Sequence, residues 1–308
     1  MTAALLLVLG IACAALGGNL FVRGAVGLAS WLRVPAGLIG ATVAAFATST
    51  PELSVGIQAA TSGRPELALG DALGSNVVNI SLVLGAVLLL GPVSATRREL
   101  RREITVAAIA PMMTLVALAD GELGRGEAWV LLAVFGGWLF VLGREALHER
   151  SIAPQVIGER AGTRTVIELG LGLVMLVVAG RLIVVAAKGI GTELGLDPFV
   201  VGATFVAVGT SSPELATAII SRRRGHSEIG VGTVLGSNVF NTLWIVGVVA
   251  LIQPVQTSAS EVVLAVTATI GALALVVPAR SGQVPRWRGA ALMGVAVVYT
   301  TATIAIGG

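Results

Sequence analysis

Charge is scarce in this chain of 308 residues, and so are the side chains that most often do chemistry. Asp, Glu, Lys and Arg together make up 12% of it, about half the ~25% of an ordinary soluble domain. A single cysteine, Cys13, excludes a disulfide within one chain and a cysteine metal cage. The two histidines, His148 and His226, sit beside arginines in segments predicted as loops, where they read as solvated residues. With so few thiols and imidazoles, zinc and copper chemistry is disfavoured from the outset.

What the chain has instead is apolar length. Hydrophobic residues reach 55%, mean hydropathy is +0.92, and runs of ~20 apolar residues recur throughout, enough to cross a hydrocarbon core of ~30 Å. The runs are continuous rather than alternating, which argues for helices over a membrane β-barrel. The opening MTAALLLVLGIACAALGG carries no charged leader and is read as a first membrane helix, not a cleaved signal peptide. The forty glycines suit close helix packing in lipid.

Ten helices are predicted, near 3–31, 36–62, 66–90, 103–119, 127–143, 165–191, 198–221, 227–252, 259–278 and 287–306. The fold class expected is an all-α polytopic membrane protein. With the N-terminus outside, fifteen of the twenty basic residues fall in cytoplasmic loops: Arg33, a cluster at 97–102, four between 144 and 164, Arg222 to Arg224, and three between 280 and 288. Only Arg64 and Arg125 face outward, while Arg23, Arg181 and Lys188 lie within helices. That asymmetry follows the positive-inside pattern. A sequence pI near 9.9 therefore reflects membrane topology and does not imply a nucleic-acid partner.

The chain also repeats itself. GATVAAFATSTPEL from Gly40 returns as GATFVAVGTSSPEL from Gly202, and LGSNVVN from Leu73 as LGSNVFN from Leu235. One offset of 162 residues relates Glu52 to Glu214, Ser75 to Ser237 and Asn79 to Asn241. A duplicated unit of five helices follows, 1–143 and 165–308, joined by a cytoplasmic loop at 144–164. Because five is odd, the second unit enters the membrane from the opposite face, as in many secondary transporters. Helices 2, 3, 7 and 8 are expected to be broken.

Each repeat places a carboxylate in an apolar stretch, at an insertion cost of roughly 2.5–3.5 kcal/mol for a charged residue at a helix centre. Pro51 and Pro213 lack a backbone N–H and should free the carbonyls of Ala47 and Gly209, with those of Thr48 and Thr210 next in line. Glu52 and Glu214 thus stand beside loosened carbonyls and the hydroxyls of Thr48, Ser49, Thr210 and Ser211. Ser75 with Asn79, and Ser237 with Asn241, add a second face of oxygens four residues apart. Carboxylate, amide, hydroxyl and carbonyl oxygens suit Ca2+ or Na+. The plainer alternative is a pair of protonated glutamates hydrogen-bonded between helices. Asp71, whose mate is Thr233, either lines an external ion path or is a helix-terminal acid near the interface.

These paired motifs resemble the Ca2+/cation antiporter superfamily, in particular its prokaryotic Na+/Ca2+ exchangers. The resemblance implies secondary active antiport of Ca2+ against Na+ by alternating access, with no enzymatic activity and no cofactor. It implies Ca2+ bound by Glu52, Glu214 and the carbonyls of Thr48 and Thr210. It implies Na+ sites formed with Ala45, Ser49, Ser75, Ala207, Ser211 and Ser237, and helices 1 and 6 sliding as a gate. The setting expected is a cell inner membrane, multi-pass and monomeric, with both termini outside the cytoplasm and the lipid bilayer as the partner. Some relatives carry Asp where this chain has Asn241, which weakens a K+-dependent reading. TSxPE in place of GNxxE favours Na+ over H+ as the coupling ion. An H+/Ca2+ antiporter, a K+-dependent exchanger and a cation channel are the other readings.

Overall fold

The computed structural model describes residues 2–94, 97–152, 162–193, 197–257, 259–278 and 283–307. Helical segments that follow end to end form ten rods. They are α1 (Thr2–Leu32), α2 (36–61), α3 (Pro65–Leu89), α4 (Arg97–Ala117), α5 (Arg125–Ile152), α6 (Thr163–Glu193), α7 (Pro198–Arg223), α8 (Ser227–Ile252), α9 (Ala259–Val276) and α10 (Trp287–Gly307). Seven of them (α1, α3, α5, α6, α7, α8 and α10) are long and apolar enough to cross a membrane. The apolar parts of α2 and α9, Ala36–Thr48 and Ser260–Val276, are shorter.

Two of the predicted boundaries were too tight. α4 starts at Arg97 and α5 runs on to Ile152, so the segment expected to begin a loop at residue 144 begins as helix. Loss of hydropathy ends a membrane span, but Arg, Glu, Ala and Leu are good helix formers in water as well. His148 consequently sits on a helix, not in a loop. In this overhang Arg102 of α4 pairs with Glu103 at 2.6 Å and with Glu145 of α5. Residues 153–161 of the connecting segment, with Arg160, and also Arg280 lie outside the described residues.

Helices α2 and α7 are interrupted as expected. Ser49 (φ −81°, ψ 8°) separates Ala45–Thr48 from Thr50–Thr61, and Ser211 (φ −77°, ψ 4°) separates Ala207–Thr210 from Ser212–Arg223. In both, proline occupies the first turn after the break, where its missing N–H costs nothing. Helices α3 and α8, expected to be broken, are instead continuous. Each widens into one stretch of π-helix, Asn79–Val83 and Phe240–Ile245. Neither has a proline in its interior (Pro65 only opens α3), so an extra residue is absorbed as a bulge without rupture of the rod. Matching π segments follow the first turn of α2 and α7, at Gly40–Ala44 and Gly202–Val206.

The two repeats cross-pack. α2 lies on α8, and α7 lies on α3. Glycine sets the distance at both crossings. A Cβ on Gly74 would sit 2.5 Å from Ala203 Cα, and one on Gly236 would sit 2.8 Å from Ala41 Cα. Gly74 and Gly236 are repeat mates, as are Ala41 and Ala203, so one contact is built twice. Outside this core, α1 and α6 run against each other, again at glycine, with Gly24 tight on Leu169 and Gly172 tight on Phe21.

Two short antiparallel ribbons tie the halves at their loops. β1 (Val93–Ser94) pairs with β4 (Gln283–Val284), and β2 (Glu122–Leu123) pairs with β3 (Val255–Gln256). Each ribbon joins the loop after the third helix of one repeat to the loop between the last two helices of the other.

Gly74→Ala is expected to cost about 1–3 kcal/mol through overpacking, because the methyl meets backbone that cannot move aside. Gly136→Ala, where an added Cβ meets nothing within 4 Å, should be neutral. Thermal unfolding of the two purified variants separates these outcomes.

Candidate functional site: a buried oxygen cluster

Where α2, α3, α7 and α8 cross, the apolar core gives way to a cluster of polar side chains shut off from the surface. Glu52 and Glu214 are both 0% exposed, as are Thr48, Thr210, Ser75, Ser237, Asn79 and Asn241. Ser49 and Ser211 are also buried. The breaks at Ser49 and Ser211 explain why the glutamates arrive here. Each stands in the first turn of a new helix segment, where free N–H groups and the helix dipole favour negative charge.

The hydroxyls link the repeats in matched pairs. Thr48 Oγ1 lies 3.5 Å from Ser237 Oγ, and the mates Ser75 Oγ and Thr210 Oγ1 are 3.2 Å apart. Ser237 donates to Glu214 Oε1 at 3.0 Å and Ser49 donates to the same oxygen at 3.5 Å. The carbonyl of Ala45 is close by, 3.5 Å from Ser237 Oγ. Its mate Ala207 carries the Thr210 hydroxyl at 3.3 Å.

Several buried polar atoms in the cluster have no hydrogen-bond partner. They include both carboxylate oxygens of Glu52, Oε2 of Glu214, both amide atoms of Asn241, Oδ1 of Asn79 and Oγ of Ser211. Among the described residues neither glutamate takes part in an ion pair. Buried polar groups are ordinarily satisfied, and a carboxylate left bare in a dry interior is costly. Oxygens that lack donors in one small volume are the donor set a hard cation requires. Among the described residues no three His, Cys, Asp or Glu side chains converge as metal ligands. Any ion held here would rely on neutral oxygens as well as on the two glutamates.

One expectation about the backbone fails. The carbonyls of Ala47 and Gly209 are not freed by the prolines, because each accepts a backbone N–H at the helix end. Gly209 also receives the hydroxyl of Ser212 at 2.8 Å. The turn tightens around the serine and re-satisfies the carbonyl that proline abandons, as prolines within bilayer helices generally require.

Asp71 is not at a helix end near the interface. It is 1% exposed and lies inside α3, where its Oδ1 accepts from Thr210 Oγ1 at 3.0 Å and from Ser75 Oγ at 3.4 Å.

Sequence reasoning also passed over Asn76, Asn238 and Thr242. Asn76 Nδ2 donates to Thr242 Oγ1 at 2.5 Å, Asn238 Nδ2 to the carbonyl of Asn76 at 3.1 Å, and Asn79 Nδ2 to Asn238 Oδ1 at 3.1 Å. These bonds seam α3 to α8 directly beside the cluster. The signal was present, since Asn76 and Asn238 are the same letter in both copies of LGSN. They were missed because they lie off the face shared by Ser75 and Asn79.

The sequence profile of the sodium/calcium exchanger protein family matches residues 2–143 and 165–305. The chain belongs to that family. It is 34% identical over 263 residues to the inner membrane protein YrbG of Escherichia coli, covering 82% of this chain and 81% of YrbG. It is 26% identical over 331 residues to the sodium/calcium exchanger MaX1 of Methanosarcina acetivorans, covering 94% and 95%. The fold matches a solved structure of the sodium–calcium exchanger NCX_Mj with a TM-score of 0.82 at 26% identity, covering 98% of this chain and 99% of that one. This exchanger is thus a membrane protein of a cation/Ca2+ antiporter family, with a largely helical fold.

In the exchanger, Asn238→Leu should remove two of these three α3–α8 hydrogen bonds, leaving Asn79 Nδ2 without its acceptor and the Asn76–Thr242 bond in place. Single interhelical hydrogen bonds in membranes average about 0.6 kcal/mol and reach about 1.7. A stability loss of about 1–2 kcal/mol is expected for the two together. Thermal unfolding in detergent checks it, and an unchanged midpoint would show that the seam is not structural.

Proposed function

We propose that this exchanger carries Ca2+ across the membrane in one direction against Na+ in the other, by alternating access to the buried oxygen cluster. One observation supports the reading above the rest: two fully buried glutamates, each at a helix break, with three of their four carboxylate oxygens left without a hydrogen-bond partner. Glu52 and Glu214 would bind Ca2+ with the carbonyls of Thr48 and Thr210. Na+ would use the same glutamates together with Ser49, Ser75, Ser211, Ser237 and the carbonyls of Ala45 and Ala207. Asn79 and Asn241 would add amide oxygens. Two carboxylates balance one divalent ion, and the empty site keeps both charges in lipid. Crossing unloaded would therefore be costly, and that cost would couple the two fluxes.

The architecture that suits this function is ten membrane-crossing helices in two inverted repeats, 1–143 and 165–308, joined through 144–164. Its support is the common 162-residue offset, the exchange-related pairing of the ribbons β1·β4 and β2·β3, and the bias of arginines toward one set of loops. In that topology the protein lies in a cell inner membrane as a monomer, with both termini outside the cytoplasm. α1 and α6, which pair through glycine on the flank of the core, form the moving gate. No histidine or cysteine is placed in the cluster to support hydrolytic chemistry, and the reading is transport, not catalysis.

Na+ is preferred as the coupling ion over K+ because position 241 is an amide, and over H+ because the repeats carry TSxPE. Proteoliposomes loaded with 45Ca2+ and given Na+, K+ or pH gradients in turn should show counterflow with Na+. A response to pH alone would make the protein an H+/Ca2+ antiporter, and current without countertransport would make it a channel. Glu52→Gln and Glu214→Gln should each reduce Na+-driven Ca2+ uptake to background. Wild-type uptake by either variant would refute the site.

A further inference from the structure

The cluster is close to two-fold symmetric in sequence but not in its hydrogen bonds. In one half Ser237 gives its proton to Glu214 Oε1 at 3.0 Å. Its mate Ser75 does not do the same for Glu52. Ser75 instead stands 3.4 Å from Asp71 Oδ1 and 3.2 Å from Thr210 Oγ1, and Thr210 is 3.0 Å from that same Asp71 oxygen. A hydroxyl has one proton to give. Thr210 has carbonyl alternatives at Val206 (3.2 Å) and Ala207 (3.3 Å), but the Asp71 oxygen, at 3.0 Å, is the nearest of the three acceptors. Both protons are therefore drawn along a path that ends on Asp71. Across the repeat, position 233 is a threonine, and its hydroxyl turns back to its own helix at the Ile229 carbonyl, 2.8 Å away. Nothing at that position competes for the proton of Ser237.

We infer that Asp71 is a positioning residue that makes the two halves of the ion site unequal. By taking the hydroxyl protons of Ser75 and Thr210, it holds them back from Glu52: Thr210 and Asp71 both stand close enough to act on that carboxylate, yet neither Glu52 oxygen has a partner at hydrogen-bond distance. The same bonds turn the hydroxyl lone pairs, instead of the protons, toward the space an ion would fill. Glu52 is then the half of the site that binds through a bare carboxylate. Glu214 is the half whose carboxylate is already partly satisfied and whose attraction for a cation is weaker. The inference rests on the cluster being the ion site of the proposed exchange.

The test uses the full-length protein purified in detergent, with Ca2+ and Na+ each titrated for thermal stabilisation, and Na+-driven 45Ca2+ uptake in proteoliposomes as a second readout. Asp71→Thr restores the residue of the other repeat and removes the acceptor. It is expected to raise the Ca2+ concentration for half-maximal stabilisation about tenfold, equivalent to about 1.4 kcal/mol, and to raise the Ca2+ concentration for half-maximal uptake in parallel. Asp71→Asn keeps a carbonyl oxygen to accept the same bonds and should lose no more than about threefold. In a Thr210→Val background, where the principal hydroxyl is gone, Asp71→Thr should cost less than about threefold, because coupled residues are non-additive. Wild-type affinity in Asp71→Thr, or a full tenfold loss that persists beside Thr210→Val, would overturn the role given to Asp71. If Ca2+ and Na+ bind with this order of variants but no coupled flux occurs, the exchange reading fails and the positioning role stands. If neither cation stabilises the wild type, both fall.

Discussion

A bare carboxylate in a dry, lipid-surrounded core is the constraint around which this molecule is arranged. Water cannot solvate Glu52 or Glu214, and no basic side chain among the described residues neutralises either. Their oxygens must be served by whatever the surrounding helices can bring, or by an ion. The helices bring short side chains and backbone. Serine, threonine and asparagine have the reach to sit within 3–3.5 Å of one another only because the rods carrying them approach at glycine. Each tight crossing, Gly74 on Ala203 and Gly236 on Ala41, lies beside a serine of the cluster, so the packing and the polar site come from the same few residues.

Irregular backbone follows from the same constraint. An unbroken α-helix buries all of its carbonyls and N–H groups in its own ladder and has little to offer an ion. The breaks at Ser49 and Ser211 and the π segments of α3 and α8, which hold Asn79 and Asn241, fall within the cluster, and the π segments of α2 and α7 end immediately before it at Ala45 and Ala207. Non-helical backbone at membrane depth is tolerated where it is buried in protein or faces a cavity. The two kinds of irregularity divide by sequence: proline with serine yields a true break, whereas LGSNV without proline yields a bulge.

Duplication gives the protein two copies of one solution, and the hydrogen bonds show where the copies part. Ser237 serves a glutamate, whereas Ser75 serves Asp71. Thr233 bonds only to its own helix. The copies are near-equivalent in sequence, and the acid at position 71 on α3, where the other copy has threonine, is the point at which their hydrogen bonding diverges.

Much of this was legible in the linear chain. Hydropathy located every rod to within a few residues wherever lipid sets its ends, since length and apolarity are local properties. The repeat offset named Glu52, Glu214 and their serines, threonines and asparagines without coordinates, because a carboxylate in an apolar run is conspicuous by itself. What the sequence could not carry was anything that depends on a partner from elsewhere in the chain. Helices α4 and α5 continue past the span because water also supports helix. The Ala47 and Gly209 carbonyls are re-satisfied because the turn closes on them, and Asn76 reaches Thr242 only once α3 lies on α8. Asp71 is the clearest instance. Its position in the sequence left a lipid interface and an ion path equally open, and only the approach of Thr210, 139 residues away along the chain, decided which protons it takes. Burial and charge are written residue by residue, but hydrogen-bond geometry between distant segments exists only after the helices have crossed.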